Sequence, residues 1–162
     1  MNDSTLIVIL AGLFGLLIGS FLNVCIVRLP AEQSVVSPRS RCPSCGAAIE
    51  WRDNIPVLSW MFLAGKCRGC RAPISIRYPL VELTVALLWS FAVLHYGVNL
   101  EALKAALFGT LLLGIALTDA RDYLIPNEFT WGGLIIGLVL SAAGGLHAVL
   151  LALVGAAVGF AI

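Results

Sequence analysis

Four of the five cysteines lie in two pairs, each with two residues between its members: Cys42 and Cys45, then Cys67 and Cys70. Each pair can hold one side of a metal ion with two thiolates, and the 21 residues between the pairs allow the second pair to complete a tetrahedron. Four sulfur ligands form the usual structural zinc site and leave no coordination position open. The pattern therefore predicts a zinc ion that folds this segment, with Gly46 and Gly69 in the tight turns.

Two other roles for these cysteines remain open from the pattern alone. Two disulfides would satisfy the same spacing, but the basic charge around them places the segment in the reducing cytoplasm, where disulfides are rare. A redox-active pair is the other alternative, and no βαβ pattern of a thioredoxin-like fold surrounds either pair. The fifth cysteine, Cys25, lies in an apolar run and is expected to be a small buried residue.

A carboxylate at the end of an apolar run is the second chemical feature. Asp119 follows the run 103–118 and precedes Arg121, Asp122 and Pro126, where the helix is expected to break. An ionisable residue there is costly unless it faces a wet cavity, so Asp119 is a candidate functional residue. An interfacial cap or an ion pair with Arg121 is the alternative. Aspartyl proteolysis needs two carboxylates that share a proton, and Asp119 and Asp122 on one helix would not straddle a scissile bond.

The elements that must position these residues are membrane helices. The chain has 162 residues, 60% hydrophobic and 12% charged, with a mean hydropathy of +0.99. This composition excludes a soluble globular enzyme, a disordered tail and a small secreted disulfide scaffold. The prediction is an all-α polytopic membrane protein with about five transmembrane helices, at 5–27, 79–96, 103–118, 129–143 and 146–162. Glu82, near the start of the second run, is expected to pair with Arg77 or with a neighbouring helix.

The charges are concentrated between the first two apolar runs, in a segment called here the cysteine module (residues 28–77). The module holds eight of the ten Lys and Arg against three acids, so it carries net +5 and the rest of the chain net −4. Such a segment could bind nucleic acid, but short basic loops beside membrane spans are retained in the cytoplasm. Topology is therefore the preferred interpretation. We expect the N-terminus outside, with the module and Asp119 at the cytoplasmic side.

Small residues at four-residue spacing predict where helices approach closely. The glycine pairs are 15/19, 133/137 and 155/159. Such pairs let helix backbones meet in lipid, where no hydrophobic effect drives helices together. No segmental repeat of 20–50 residues is apparent, so a repeat architecture is not expected.

Several strings of this sequence resemble the bacterial type IV prepilin peptidases, the aspartic leader peptidases of prepilins and pseudopilins. The matching strings cover essentially the whole chain in order: 19–24, 28–30, 42–45, 51–60, 65–70, 76–82, and Asp119 followed after five residues by 125–127. The resemblance implies cleavage of a short basic leader just after a glycine, at the cytoplasmic face of the bacterial inner membrane. It also implies N-methylation of the new N-terminus, with S-adenosylmethionine as the methyl donor. Asp119 would be the first aspartate of the catalytic dyad, and the four cysteines would be the family's metal module.

The resemblance also sets expectations for the domains and for what the chain lacks. Residues 1–96 would form an N-terminal prepilin peptidase domain, and residues 97–162 would begin the aspartic peptidase membrane domain. The family's second aspartate lies in a Gly-x-Gly-Asp motif, which these 162 residues do not contain. A truncated or fragmentary chain that is inactive alone is therefore expected. The alternatives are a non-catalytic, zinc-bearing membrane scaffold and a protein that keeps only methyl transfer.

Overall fold

A computed structural model describes residues 2–161, and within them the chain is helical with no named β-strand. The helices are α1 (Asp3–Arg28), a short 3₁₀ helix (Trp51–Asn54), α2 (Leu58–Phe62), α3 (Arg77–Tyr96), α4 (Leu100–Asp122), α5 (Asn127–Ala142) and α6 (Gly145–Ala161). The five long helices coincide with the five apolar runs, because such runs bury backbone hydrogen bonds best as helices. The all-α fold class is confirmed.

Three of these helices are long and apolar enough to cross a membrane, in a search limited to the described residues. They are α1, α3 and α4, with 26, 20 and 23 residues. Helices α5 and α6 have 16 and 17 residues, slightly below the usual length of a span. The third predicted helix, at 103–118, is too short, because α4 continues beyond Thr118 through Asp122.

The closest helix contact joins α1 and α3, which run antiparallel. A Cβ atom placed on Gly15 would lie 2.8 Å from the Cα atom of Ala86, and one placed on Gly19 would lie 2.7 Å from the Cα atom of Glu82. One turn further on, the Asn23 amide of α1 donates a 3.0 Å hydrogen bond to the Tyr78 carbonyl oxygen at the start of α3. The predicted close packing at 15/19 is confirmed, and it fixes the register of the two helices.

Helix α4 completes this first bundle by packing against α1 and α3. The Trp89 indole nitrogen of α3 donates a 3.1 Å hydrogen bond to the Thr110 hydroxyl of α4, and both side chains are buried. Val85 and Thr118 are the largest side chains that are fully buried among the described residues. The core of the molecule therefore lies between α1, α3 and α4, and Cys25 is part of it, as expected.

Helices α5 and α6 have a more open surface. A Cβ atom placed on Gly133 would meet only the Leu111 side chain, at 3.4 Å. Cβ atoms placed at positions 137, 155 and 159 would have no neighbour within 4 Å. The predicted close packing at 155/159 is therefore not found in the described part of the chain, and 133/137 is in contact at one member only.

Candidate metal centre and carboxylate sites

The first cysteine pair lies on a tight backbone loop. The Cys42 backbone N–H donates to the Ala47 carbonyl oxygen at 2.9 Å, and the Gly46 N–H donates to the Cys42 carbonyl oxygen at 2.9 Å. A β-bridge between Arg41 and Ala48 closes the base of the loop. Gly46 has a φ of +70°, a conformation that glycine adopts without steric cost. The loop directs the thiols of Cys42 and Cys45 to the same side.

The second pair repeats this loop 25 residues later along the sequence. The Cys67 N–H donates to the Ala72 carbonyl oxygen at 2.8 Å, and the Arg71 N–H donates to the Cys67 carbonyl oxygen at 3.0 Å. Arg71 has a φ of +60° and takes the place of Gly46. Gly69 lies within the turn of the second pair, as expected, but the left-handed position belongs to Arg71, which follows the second cysteine.

The two loops form a local structural repeat of about ten residues, which is shorter than the 20–50-residue segments of a repeat architecture. A basic residue precedes the first cysteine in both copies, and an alanine and an isoleucine follow the second cysteine at the same distances: Arg41, Ala47 and Ile49, then Lys66, Ala72 and Ile74. Ten residues are too few for a repeat to stand out from chance. The matched hydrogen bonds reveal it.

The four thiols converge on one point. The sulfur atoms of Cys42, Cys45, Cys67 and Cys70 all lie within 4.8 Å of one another, and those of Cys42 and Cys70 are 3.8 Å apart. Four sulfurs at about 2.3 Å from a central tetrahedral ion would be about 3.8 Å from each other. The cluster therefore has metal-binding geometry, and these four residues can hold one ion without moving far.

The cluster is also prepared electrostatically for a cation. The backbone N–H groups of Cys45 and Ser44 lower the pKa of the Cys42 thiol to about 6, because they stabilise its thiolate. The Ala72 N–H likewise favours the thiolate of Cys70, but desolvation and the neighbouring cysteines outweigh it and raise the pKa of Cys70 to about 11. Four thiols side by side thus resist losing all their protons unless a cation compensates for the charge.

Two side chains fasten the second loop to the rest of the module. The Arg68 guanidinium donates two hydrogen bonds to the Asp53 carboxylate, at 2.6 and 2.7 Å, and holds the pKa of that carboxyl below its usual range. The Trp60 indole N–H donates to the Ile74 carbonyl oxygen at 3.0 Å, and its ring covers Gly65. The second loop is therefore connected to the 3₁₀ helix and to α2.

A buried carboxylate of α3 joins the module to the membrane bundle. The Glu82 side chain accepts a 2.7 Å hydrogen bond from the Val57 backbone N–H. Val57 has φ 60° and ψ −51°, and the Leu58 N–H bonds to the Pro56 carbonyl oxygen. This is the rarer, positive-φ form of the γ-turn, which is strained for a β-branched residue.

This contact corrects the expected partner of Glu82 and adds a residue that pattern reasoning missed. The predicted pair with Arg77 is wrong, because the carboxylate turns instead toward the backbone of the module. The partner is a main-chain N–H 25 residues away, which no side-chain pattern marks. The only signal in the sequence is an acid near the start of an apolar run, which is costly in a membrane unless it has a partner.

Asp119 lies in the last turn of α4 and is exposed. The neighbouring Thr118 is fully buried against the bundle. The Arg121 guanidinium donates to the Ile26 carbonyl oxygen at 3.3 Å and lies 3.6 Å from the Asp122 carboxylate. Within residues 2–161 no ion pair joins Arg121 to Asp119, so the alternative of that pair is not realised. The Asp119 carboxylate is open to a further partner.

The break after Asp119 occurs as predicted. Tyr123 adopts the left-handed conformation and caps α4, its N–H bonded to the Asp119 carbonyl oxygen at 2.9 Å. Pro126 then precedes the first residue of α5, Asn127. The short linker of residues 123–126 therefore separates Asp119 from the next helix. Among the described residues, no hydrogen bond or ion pair connects Asp119 with the four cysteines.

Comparison with known proteins gives consistent matches. A family model described as the Bacterial Peptidase A24 N-terminal domain matches residues 13–96, and the model of the Type IV leader peptidase family matches residues 106–162. Relatives named "Prepilin leader peptidase/N-methyltransferase" include those of Myxococcus xanthus (47% identical over 90% of this chain and 44% of the relative) and Aeromonas hydrophila (39%, over 91% and 59%). A third, from Bacillus subtilis, is 40% identical over 91% of this chain and 60% of the relative.

The chain spans about half the length of the curated relatives that it matches. No solved structure matches it. The first family model covers more than half of the 162 residues, and the second covers most of the remainder. The chain therefore belongs to the bacterial peptidase A24 family, the type IV leader peptidases.

Proposed function

We propose that the protein acts as a prepilin leader peptidase that cuts the short basic leader of type IV prepilins or pseudopilins after a glycine. The observation that carries the proposal is the pair of family matches over 13–96 and 106–162, together with relatives named for this activity. Residues 1–96 act as the N-terminal prepilin peptidase domain, and residues 97–162 belong to the peptidase membrane domain. Besides these substrates, the lipid bilayer is a proposed partner, which the apolar helices contact.

Asp119 is proposed as one carboxylate of an aspartyl dyad. In such a dyad one ionised carboxylate removes a proton from water, whose oxygen attacks the carbonyl carbon of the leader's last residue. The other carboxyl, still protonated, donates its proton to the carbonyl oxygen. When the C–N bond breaks, the departing amine takes up a proton. The exposed position of Asp119 supports this role, since a second carboxylate and a substrate need access to it.

We expect the second carboxylate to come from the region that is present in the longer relatives and is not matched by these residues. Asp122 lies three residues along the same helix and already contacts Arg121, so it is poorly suited to face Asp119 across a peptide bond. Residues 119–125 are exposed, so an extended substrate can approach Asp119 from the side of the loop at 123–126.

The cysteine cluster is proposed as a structural zinc site with Cys42, Cys45, Cys67 and Cys70 as ligands. Bound zinc would cross-link the two loops and, with four sulfur ligands, would have no position for water or substrate. The four-sulfur donor set and the 3.8 Å sulfur spacing both suit this ion. The site's role is to fold the module rather than to take part in peptide cleavage.

N-methylation of the new N-terminus, with S-adenosylmethionine as the donor, is the second proposed activity. It rests on the names of the relatives, which pair peptidase with N-methyltransferase. No residue of this chain is assigned to the donor. The positive charge of the module supports a bacterial inner-membrane protein with the N-terminus outside, and the module and Asp119 at the cytoplasmic side.

The peptidase proposal is tested by introducing Asp119→Asn and, as a matched control, Asp122→Asn into the chromosomal gene. Cleavage is followed as the shift from prepilin to mature pilin or pseudopilin on immunoblots. Asp119→Asn is expected to abolish cleavage, whereas Asp122→Asn should leave most of it. Normal cleavage by a stably inserted Asp119→Asn protein would refute the catalytic role and favour the non-catalytic scaffold.

A further inference from the structure

A cavity lies where α1, α3 and α4 end on the side of the cysteine module. Its volume is about 200 Å³, which is room for several water molecules. The end of α1, the start of α3 and the last turns of α4 all contribute to its wall. It is therefore an opening at one surface of the helix bundle and not an internal packing defect.

The cavity is lined by two cations and by no acid. Arg77 comes from the first turn of α3, and Arg121 comes from the last turn of α4. None of the lining residues is Asp or Glu. Among the described residues no carboxylate forms an ion pair with Arg77, and the Asp122 carboxylate meets Arg121 only at 3.6 Å. The opening therefore has a positive charge that remains available to an anion.

Arg121 is held in place at this opening. Its guanidinium donates a 3.3 Å hydrogen bond to the Ile26 carbonyl oxygen of α1, and the side chain is about one third exposed (35%). The hydrogen bond holds the Arg121 guanidinium against α1, and Arg77 lines the same cavity. Two guanidinium groups at one opening offer several N–H donors for the oxygens of a phosphate group.

The rest of the cavity wall is partly polar, with Asn23, Ser75 and Tyr78, and partly apolar. Val27 of α1, Val81 of α3 and Leu117 of α4 line it between the helices. These are the ends of the three helices that are long and apolar enough to cross a membrane. A ligand in this cavity would therefore contact the two arginines at the opening and the apolar side chains between the helices. A free phosphate would use only the first of these features, whereas a lipid would use both.

The cavity is separate from the candidate catalytic carboxylate. Residues 117 and 121 of α4 face it, and Asp119 lies between them in sequence. Two residues correspond to about 200° around a helix, so Asp119 points to the other side of α4. A ligand in the cavity would contact the packed face of α4 and leave Asp119 free.

The geometry points to a binding site for the phosphate headgroup of an anionic phospholipid, between Arg77 and Arg121. The phosphate accepts hydrogen bonds from the two guanidinium groups, and the glycerol and first acyl carbons contact the apolar wall. Basic pockets between membrane helices bind such headgroups, and each Arg near an anionic membrane surface adds to the attraction. A zwitterionic lipid is expected to bind less well, because its ammonium group would meet two cations.

The test uses the full 162-residue chain, purified in neutral detergent, with lipid adducts counted by native mass spectrometry. Phosphatidylglycerol is titrated against phosphatidylethanolamine, and glycerol phosphate without acyl chains serves as the soluble competitor. Arg77→Gln and Arg121→Gln are each expected to weaken phosphatidylglycerol binding about fivefold. Arg77→Lys and Arg121→Lys, which keep the charge, should stay within about twofold of the parent chain, with circular dichroism verifying the helical content.

Arg52→Gln is the matched control, because Arg52 is an exposed arginine of the module outside this cavity. It should leave lipid binding unchanged. An equal loss in Arg52→Gln would show that the module attracts lipid through general charge and would overturn the site. Equal binding of the two lipids, or displacement of the lipid by equimolar glycerol phosphate or by an acidic peptide, would overturn it as well.

Discussion

The cysteine module and the α1–α3–α4 bundle are held together by different physical means. Four residues of the module are buried, and none has a large apolar side chain: Cys42, Pro56, Ser59 and Gly65. The bundle instead buries an apolar core and brings helix backbones into contact at Gly15 and Gly19. The module therefore depends on hydrogen bonds and on the proposed metal ligation, whereas the bundle depends on close packing of helices. A change that damages one region should leave much of the other intact.

Loss of the metal should have the largest effect, and it should be confined to the module. Structural zinc contributes on the order of 10–16 kcal/mol to small domains of this kind. Chelation, or Cys45→Ser, is expected to unfold residues 28–77 while α1, α3 and α4 remain helical. Hydrogen exchange of the membrane-inserted chain measures both regions at once. Metal-free protein with an unchanged, protected module would contradict the prediction.

Gly19→Ala should have the next largest effect, and it should damage the bundle. Its Cβ atom would lie 2.7 Å from the Cα atom of Glu82, so the helices would have to separate, at a cost of about 1–3 kcal/mol. Gly155→Ala is the control, because nothing lies within 4 Å of that position. Alanine there should favour α6 by up to about 1 kcal/mol. In thermal unfolding in detergent, the midpoint temperature should fall for Gly19→Ala and rise for Gly155→Ala. Shifts of the same sign in both variants would refute the contrast.

Within the module, the two copies of the loop should respond differently at the left-handed position. Gly46→Ala places a side chain at φ +70° and is expected to cost about 1 kcal/mol. Arg71→Gly relieves the same strain at φ +60° and should stabilise the second loop by up to about 1 kcal/mol. Competition with a zinc chelator measures both changes. Weaker metal retention in Arg71→Gly would contradict the matched geometry of the two loops.

Asp53→Asn should have the smallest effect, because its partner Arg68 is largely exposed. Such pairs contribute about 0.2–1 kcal/mol. The pKa of Asp53 is lowered in the folded module, so its contribution is complete above an unfolded value of about 3.9 and is lost as the pH falls through the folded pKa. The difference in chelator resistance between Asp53→Asn and the parent should therefore be constant from about pH 5 to about pH 8. A difference that changes with pH over this range would implicate another group.

Much of the fold could be predicted because its signals are local. Each apolar run became a helix, and the spacing of the cysteines was enough to anticipate that four thiols meet. The glycine pairs show the limit of this reasoning. The spacing is identical at 15/19 and 155/159, yet only the first pair has a neighbouring helix in contact, because spacing describes one helix and packing needs two.

The parts that pattern reasoning missed involve backbone atoms. Arg71 takes a conformation that favours glycine, held there by the hydrogen bonds of its loop. Glu82 finds its partner in the Val57 N–H, which any residue type would offer. Side-chain identity encodes neither contact. The proposed role of Asp119 would likewise need a second carboxylate, which no contact among the described residues supplies.

The hydrogen bond between Val57 and Glu82 has a consequence for the order in which the protein is assembled. Val57 leaves the ribosome before Glu82, so the acceptor on α3 arrives after its donor. A carboxylate that entered the bilayer without this donor would be costly, and α3 would be slow to settle beside α1. We therefore expect the turn at Val57 to form before α3 is fully inserted. Biogenesis of this membrane protein would then depend on the timely folding of a loop outside the membrane.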